Sequence, residues 1–373
     1  MAANMRALSI LGDWTIRRNR MAAYLAITTV VVITFLVYTP LPSAYGFRRD
    51  SVEFQVAGAT SGSVEPELSS ATSLESTTSK YAFATLLASD ASRPDDQENL
   101  RDQYFIATRL LGYQILHALE TRSENIPFIV LVTTGVSQGK RERLLRDGAI
   151  VVAVESIETP SWFEALPRNW EEVLDKLHIW EFTQFDRICF LDSDTVLNRP
   201  LDGIFQDPAV ALHKTLNHPD KLKPDEGPLP ASYVFAGQPE MKEEHHYPPS
   251  DEKHDYPNKN YLNAGFFVVQ PSLEILEHYF RIMAIPNRFR SEFPEQNLFN
   301  YAHRREEEGG SMPWRSVDTA WNIHSPTLAD LKGGVASLHE KWWAPINDEL
   351  APYLQSWRWR MEGFYEALDA ITK

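Results

Sequence analysis

Four short runs constrain this chain more than anything else in it. They are "YAFATLLA" from Tyr81, "FIVLVT" from Phe128, "AIVVAVESI" from Ala149 and "RICFL" from Arg187. Each is nearly continuous in apolar residues, the pattern of a strand buried on both faces and not of one with a wet side. Between them lie segments with helical spacing. "LRDQYFIATRLLGYQILHALE" repeats Tyr104, Thr108, Leu111 and Ile115; "SQGKRERLLRDG" stops at Gly148; "WEEVLDKLHIWEFTQF" precedes the fourth run. Strand and helix in alternation predict an α/β domain, a parallel sheet covered by helices on both sides. In such sheets ligands bind beyond the carboxyl ends of the strands.

The fourth run ends in Asp192, Ser193 and Asp194. Two carboxylates two residues apart point to the same side of an extended chain and repel each other. Either they form a solvated turn or they hold a cation, and their place at a strand's carboxyl end favours the cation. Cys189 is the chain's one cysteine and lies inside the apolar run, which reads as a buried structural thiol.

The net charge of −15 argues against nucleic acid as the main partner. With 43% hydrophobic residues in 373, the chain can bury a large core without disulfides, so one cysteine does not exclude the secretory pathway. "MAAYLAITTVVVITFLVY", residues 21–38, carries no charge and would span ~27 Å as a helix, enough for a thin bilayer. Arg17, Arg18 and Arg20 before it favour a cytoplasmic N-terminus. A cleaved signal peptide is the alternative, but no convincing small-x-small site follows. Residues 51–80 are rich in Ser and Thr with little periodicity, the composition of a disordered stem that carries O-glycans. The expected organisation is a cytoplasmic tail over 1–20, a transmembrane anchor over 21–38, a stem over 39–80 and a catalytic domain over 81–373.

Six blocks, taken in order, resemble glycosyltransferase family 8, the glycogenin-like enzymes. "YAFATLLA" is similar to the opening strand that cradles the nucleoside. "LDKLHIWEFTQFDRICFLDSDTVLNRPLDGIF" resembles the block of Lys, helix, strand and DxD. "YLNAGFFVVQPS" resembles the Asn-Ser-Gly strand at the sugar site, with Ala264 in place of Ser. "PEQNLFNYAH" resembles the Asp-Gln-Gly-x-x-Asn helix start, and "MPWRSVDTAWNIH" with "VASLHEKWW" the strands that close the site. The resemblance covers most of residues 81–345 and implies a GT-A fold, Rossmann-like α/β.

It also implies a chemistry. A UDP-sugar donor leaves a diphosphate, and a divalent cation, Mn²⁺ or Mg²⁺, meets the developing charge. The implied metal ligands are Asp192, Asp194 and His339. Thr85, Leu86, Lys176, Ser193 and Lys341 fall at donor-binding positions, although "HEKWW" is shorter than the family's His-to-Lys spacing. Asn263 and Gln296 are amides suited to sugar hydroxyls. Glu295 stands where the family has Asp; it either approaches the anomeric carbon or binds sugar hydroxyls, and the second is preferred. The family retains anomeric configuration, and no obvious carboxylate nucleophile is visible. The reading is a retaining hexosyltransferase, a single-pass type II protein of the Golgi or endoplasmic reticulum membrane with a glycan or glycoprotein acceptor. Anchor and stem add a narrower likeness to fungal Golgi members such as N-acetylglucosaminyltransferases, which points to N-acetylglucosamine or glucose as the sugar.

The stretch from Asp207 to Asn260 reads as an irregular insertion lying over the site as an acceptor lid. His245, His246, His254 and Asp255 within it offer a second metal set, though solvated loop residues are the better reading. "NDELAPYLQSWRWRMEGFYEALDAITK" reads as an amphipathic structural helix with Leu350, Leu354, Trp357 and Phe364 for packing. Two alternatives compete with the enzyme: an inactive nucleotide-sugar- or glycan-binding scaffold, which the intact Asp192, Asp194 and His339 speak against, and a nucleotidyltransferase, whose Gly-rich loop after the first strand is missing from "ASDASRPDDQENL".

Overall fold

The computed structural model describes residues 77–89, 102–163, 172–218 and 223–371. The anchor expected over 21–38, nearly all of the stem, and most of "ASDASRPDDQENL" lie outside those residues. Among the described residues, no helix is long and apolar enough to cross a membrane.

In chain order the elements are β1 (Tyr81–Leu87), α1 (Gln103–Leu116), β2 (Phe128–Thr133), α2 (Gln138–Arg146) and β3 (Ile150–Val154). A 3₁₀ helix (Glu172–Glu181) follows, then β4 (Arg187–Leu191), β5 (Thr195–Leu197), β6 (His213–Lys214), β7 (Ser232–Tyr233), β8 (Phe235–Pro239) and β9 (Leu262–Val269). Next come α3 (Leu273–Met283), α4 (Pro294–Ala302), β10 (Arg315–Ser316), β11 (Asn322–His324), α5 (Leu328–Gly333), β12 (Ser337–His339) and α6 (Ala351–Ile371).

The four apolar runs form the parallel half of a seven-stranded sheet, in the order β3-β2-β1-β4. That is the Rossmann-like half that the resemblance implied. Successive side chains face opposite sides. Ala82, Ala84, Ile188 and Phe190 pack into one core; Phe83, Leu87, Cys189 and Leu191 pack into the other.

Beyond β4 the sheet departs from the all-parallel expectation. β9 runs antiparallel to β4, β8 antiparallel to β9, and β10 closes the edge parallel to β8. The antiparallel turn matters for the site: it brings the start of β9, not its end, beside the carboxyl end of β4. The Asp192 amide donates to the Gly265 carbonyl at 2.8 Å. β8 also corrects the reading of 207–260 as irregular throughout. Its five residues are all buried in the main sheet, but a short run carrying Gly237 and Pro239 does not announce a central strand.

The segment before β4, expected as an α-helix, is a ten-residue 3₁₀ helix. Leu174, Leu177 and Trp180 recur every three residues, so three residues per turn stack them in one row against the core, where all three are fully buried.

A second sheet of three strands, β11-β12-β5, carries the remaining piece of the site. β12 pairs antiparallel with β5, placing His339 opposite Thr195, and the Glu340 amide donates to the Asp194 carbonyl at 2.9 Å. The C-terminal helix packs as expected: Leu354, Trp357, Met361 and Tyr365 bury against Ile106, Leu110 and Tyr113 of α1. Leu350 joins that cluster from a short turn, and Phe364 packs at its rim.

α1 in turn holds β5. The buried Gln114 side chain donates to the Leu197 carbonyl at 2.7 Å and accepts from the Leu197 amide at 2.8 Å. It pairs like an extra strand along β5, the segment that leaves Asp194. Gln114→Leu keeps the bulk and strips both partners. We expect a loss of about 2–4 kcal/mol in urea unfolding; a loss below about 0.5 kcal/mol would show the pairing to be dispensable.

Candidate active site

The opening alternatives for Asp192 and Asp194 are decided against the solvated turn. Ser193 and Asp194 are only 7% and 8% exposed. Positive groups close on both acids. The Lys176 Nζ lies 2.8 Å from Asp192 Oδ1 and 3.1 Å from Glu295 Oε1. His339 Nε2 lies 3.2 Å from Asp194 Oδ1 and 3.9 Å from Asp192 Oδ2. Lys341 Nζ lies 3.1 Å from Asp194 Oδ2. The short "HEKWW" spacing therefore does not take Lys341 away from the acids.

The protonation equilibria follow that geometry. Burial alone would raise the Asp194 carboxyl, but the His339 charge and hydrogen bond, then Lys341, outweigh it and hold the group well below the usual carboxylate range. Burial would lower His339, and Asp194 reverses it, so the imidazole is raised. Lys176 and Lys341 follow the same logic, each raised because its carboxylates outweigh its desolvation.

Asp192, Asp194 and His339 present ligand atoms that all lie within 4.8 Å of one another. Two carboxylates and an imidazole form an oxygen-rich donor set with one nitrogen, which fits Mn²⁺ and tolerates Mg²⁺. His339 Nδ1 is buried and has no hydrogen-bond partner among the described residues. Its ring position is therefore set by the Nε2 contact with Asp194 and by packing. Gly265 provides the room: a Cβ there would come 2.0 Å from His339 Cε1 and 2.6 Å from Nδ1.

The other expected residues gather around this centre in different ways. Glu295 is 6% exposed; one carboxylate oxygen meets Lys176, and Oε2 is buried without a partner among the described residues. An unpaired buried oxygen costs about 1–3 kcal/mol, which a ligand hydroxyl would relieve. Asn263 donates from Nδ2 to Glu240 Oε2 at 2.9 Å and accepts from the Gly265 amide at 2.9 Å. The Gln296 oxygen accepts from the Ala264 amide at 2.8 Å, so that oxygen supports β9 instead of meeting a sugar. Thr85 is fully buried, its Oγ1 without a partner among the described residues, and the pairing of Ala84 with Phe190 extends to set Leu86 level with Asp192.

Three neighbours escaped sequence reasoning. Glu240, inside the supposed lid, accepts from Asn263 and meets His324 Nδ1 at 2.9 Å. Burial would raise its carboxyl, but His324 outweighs burial and lowers it. The His324 ring stands edge-on to His339 with centroids 5.1 Å apart. Tyr104, taken only as a helix-face residue, lies within the fields of Lys341, Asp194 and Asp192, and burial raises its hydroxyl pKa. No motif marks Glu240 or Tyr104, and His324 is only the last residue of the block "MPWRSVDTAWNIH". The His and Asp set of the insertion does not assemble: His245 pairs with Asp330 at 2.9 Å, and His246 with Asp255 at 2.9 Å. Burial pushes the Cys189 thiol up, in keeping with a structural role.

No protein-family model matches the chain. An uncharacterized protein of Schizosaccharomyces pombe, C4C3.09, is 30% identical over 301 residues, spanning 74% of this chain and 75% of that protein. Galactinol synthase 2 of Arabidopsis thaliana is 22% identical over 270 residues, spanning 63% of this chain and 76% of the synthase. The chain is a glycosyltransferase. Among solved structures, the glycosyltransferase GlyE of Streptococcus pneumoniae TIGR4, in its apo form, is similar at 12% identity and a TM-score of 0.45. That match covers 78% of the transferase and 64% of GlyE. A likeness at that level decides nothing about the site, whose reading rests on the transferase's own residues.

The Gly265 contact gives a direct check on how the transferase positions His339. Gly265→Ala should push the imidazole off the two carboxylates and weaken Mn²⁺ affinity by about 10- to 100-fold, read by titration calorimetry. Unchanged affinity would mean that His339 does not ligate.

Proposed function

We propose that the transferase moves a hexosyl unit from a UDP-sugar to a glycan or glycoconjugate with retention of configuration, assisted by a divalent cation. The observation that carries this reading is the convergence of Asp192, Asp194 and His339 with Lys176 and Lys341. A cation held there would supply positive charge to the departing diphosphate without a proton.

The chain's own residues account for the rest. Lys176 bridges Asp192 and Glu295, fixing the two carboxylates relative to each other. Lys341, half-exposed beside Asp194, is placed to meet a phosphate oxygen. Glu295 Oε2, with the Asn263–Glu240 pair, offers hydrogen-bond acceptors to sugar hydroxyls. In the reaction the bond from the anomeric carbon to the diphosphate oxygen breaks, and the acceptor hydroxyl oxygen bonds to that carbon on the same face. The hydroxyl proton passes to the departing phosphate. Glu295 is tied to Lys176, which favours hydroxyl binding over nucleophilic attack.

The uncharged run over 21–38 and the arginines before it support a type II anchor, with the catalytic domain in the lumen of the Golgi or endoplasmic reticulum. The likeness of anchor, stem and lid to fungal Golgi enzymes is compatible with N-acetylglucosamine or glucose as the transferred sugar.

Donor hydrolysis across a panel of UDP-sugars with Mn²⁺ tests the central reading. One UDP-sugar should turn over, and Asp194→Asn should slow it by on the order of 100-fold while thermal unfolding stays cooperative. Near wild-type turnover by that variant after chelation would make the acids structural. Topology is tested separately: protease added to intact microsomes should spare the C-terminal domain, and its digestion without detergent would remove the lumenal placement.

A further inference from the structure

A cavity of about 360 Å³ opens beside the candidate active site, at the free edge formed by β8 and β10. Its size lies at the lower end of the range for small-ligand pockets. Three of its lining residues lie within a few residues in sequence of the candidate site. Pro239 precedes Glu240, the partner of Asn263 and His324. Asn260 lies three residues before Asn263, and Thr319 five before His324. The cavity therefore borders the side of the site where Glu240 and Asn263 stand, not the side where Lys341 faces Asp194.

Its chemistry is balanced. Lys259, Arg305 and Arg315 face Asp251, Glu306 and Glu307, with amides, hydroxyls and the Tyr256 ring between them. A pocket built for an anion would carry a surplus of cations. This one offers donors and acceptors in equal measure, which suits hydroxyl groups, since each hydroxyl both gives and takes a hydrogen bond. Arg305 is a fixed platform: it lies 3.4 Å over the Trp314 ring and donates to the Trp314 carbonyl and Ser316 Oγ, each at 2.7 Å. Arg315 supplies the vacant donor. Its Nε is buried and has no partner among the described residues, a state that costs free energy until an acceptor arrives.

We propose that this cavity is a subsite for the acceptor: it binds one or two sugar units of an uncharged oligosaccharide adjoining the sugar that receives the transferred unit. The assignment of an acceptor rests on the glycosyltransferase reading above; the hydroxyl-binding character of the cavity rests on its own walls. A transferase so built selects its acceptor by length as well as by terminal sugar.

The test uses the full chain in detergent with neutral di- to hexasaccharides and, for each, the methyl glycoside of its terminal sugar. Binding is read by saturation-transfer NMR without donor, and transfer by the kinetics of product formation with Mn²⁺ and the hydrolysed UDP-sugar. At least one oligosaccharide should bind and should show a KM about tenfold below that of its methyl glycoside. Arg315→Gln should erase that advantage and leave both donor hydrolysis and the methyl glycoside KM unchanged. Glu307→Gln, at the exposed rim, should reduce the advantage without touching the core and guards against a folding defect in the first variant. Equal KM values for long and short acceptors, no binding by any oligosaccharide, or a length advantage that survives both variants would overturn the subsite. Binding that depends on Arg315 with no UDP-sugar turned over would instead overturn the transferase reading and leave a glycan-binding site.

Discussion

The site depends on one electrostatic constraint: Asp192 and Asp194 cannot stand at a buried strand end unless positive charge is brought to them. Lys176 answers one and Lys341 with His339 the other. Acids and cations together come from three separate stretches of the chain, so the fold must deliver them together. A buried carboxylate stripped of its partners is strongly destabilising. The acids thus couple the 3₁₀ helix, the end of β4 and the end of β12 into one unit, and the same charges that a diphosphate would meet also stabilise the fold around them.

The architecture follows from that delivery. β9 runs antiparallel beside β4, which sets Asn263, Ala264 and Gly265 next to Asp192. Asn300 and Gln296 of α4 hold the backbone of Leu262 and Ala264, so the helix that carries Glu295 also fixes the strand that lines the sugar side. On the other side β5 leaves Asp194 and pairs with β12, while Gln114 seals β5 against α1. Gly265 completes the arrangement by leaving the His339 ring the space that any Cβ would occupy.

Much of this was legible in the sequence, for identifiable reasons. The parallel half of the sheet is written in β-branched and apolar runs that no other element tolerates. The grouping of Asp192, Asp194, His339, Lys176 and Lys341 came through family-like blocks, since nothing in their spacing alone would join residue 176 to residue 341. What stayed hidden depends on tertiary context. β8 is a short strand with Gly237 and Pro239, and only its pairing with β9 makes it central. The 3₁₀ helix shows in hindsight through the three-residue repeat of Leu174, Leu177 and Trp180, which an α-helical reading accommodates nearly as well. Glu240 carries no motif, and His324 is only the last residue of the block "MPWRSVDTAWNIH"; they matter because β8 and β11 end at the same place.

Asp192, Asp194 and His339 are proposed as the ligands of one divalent cation. Electron–nuclear double resonance on the Mn²⁺-loaded chain tests it most directly. One tightly held Mn²⁺ is expected, its spectrum showing coupling to a single imidazole nitrogen that is lost in His339→Gln. No stoichiometric Mn²⁺, or a nitrogen coupling that survives His339→Gln, would contradict it.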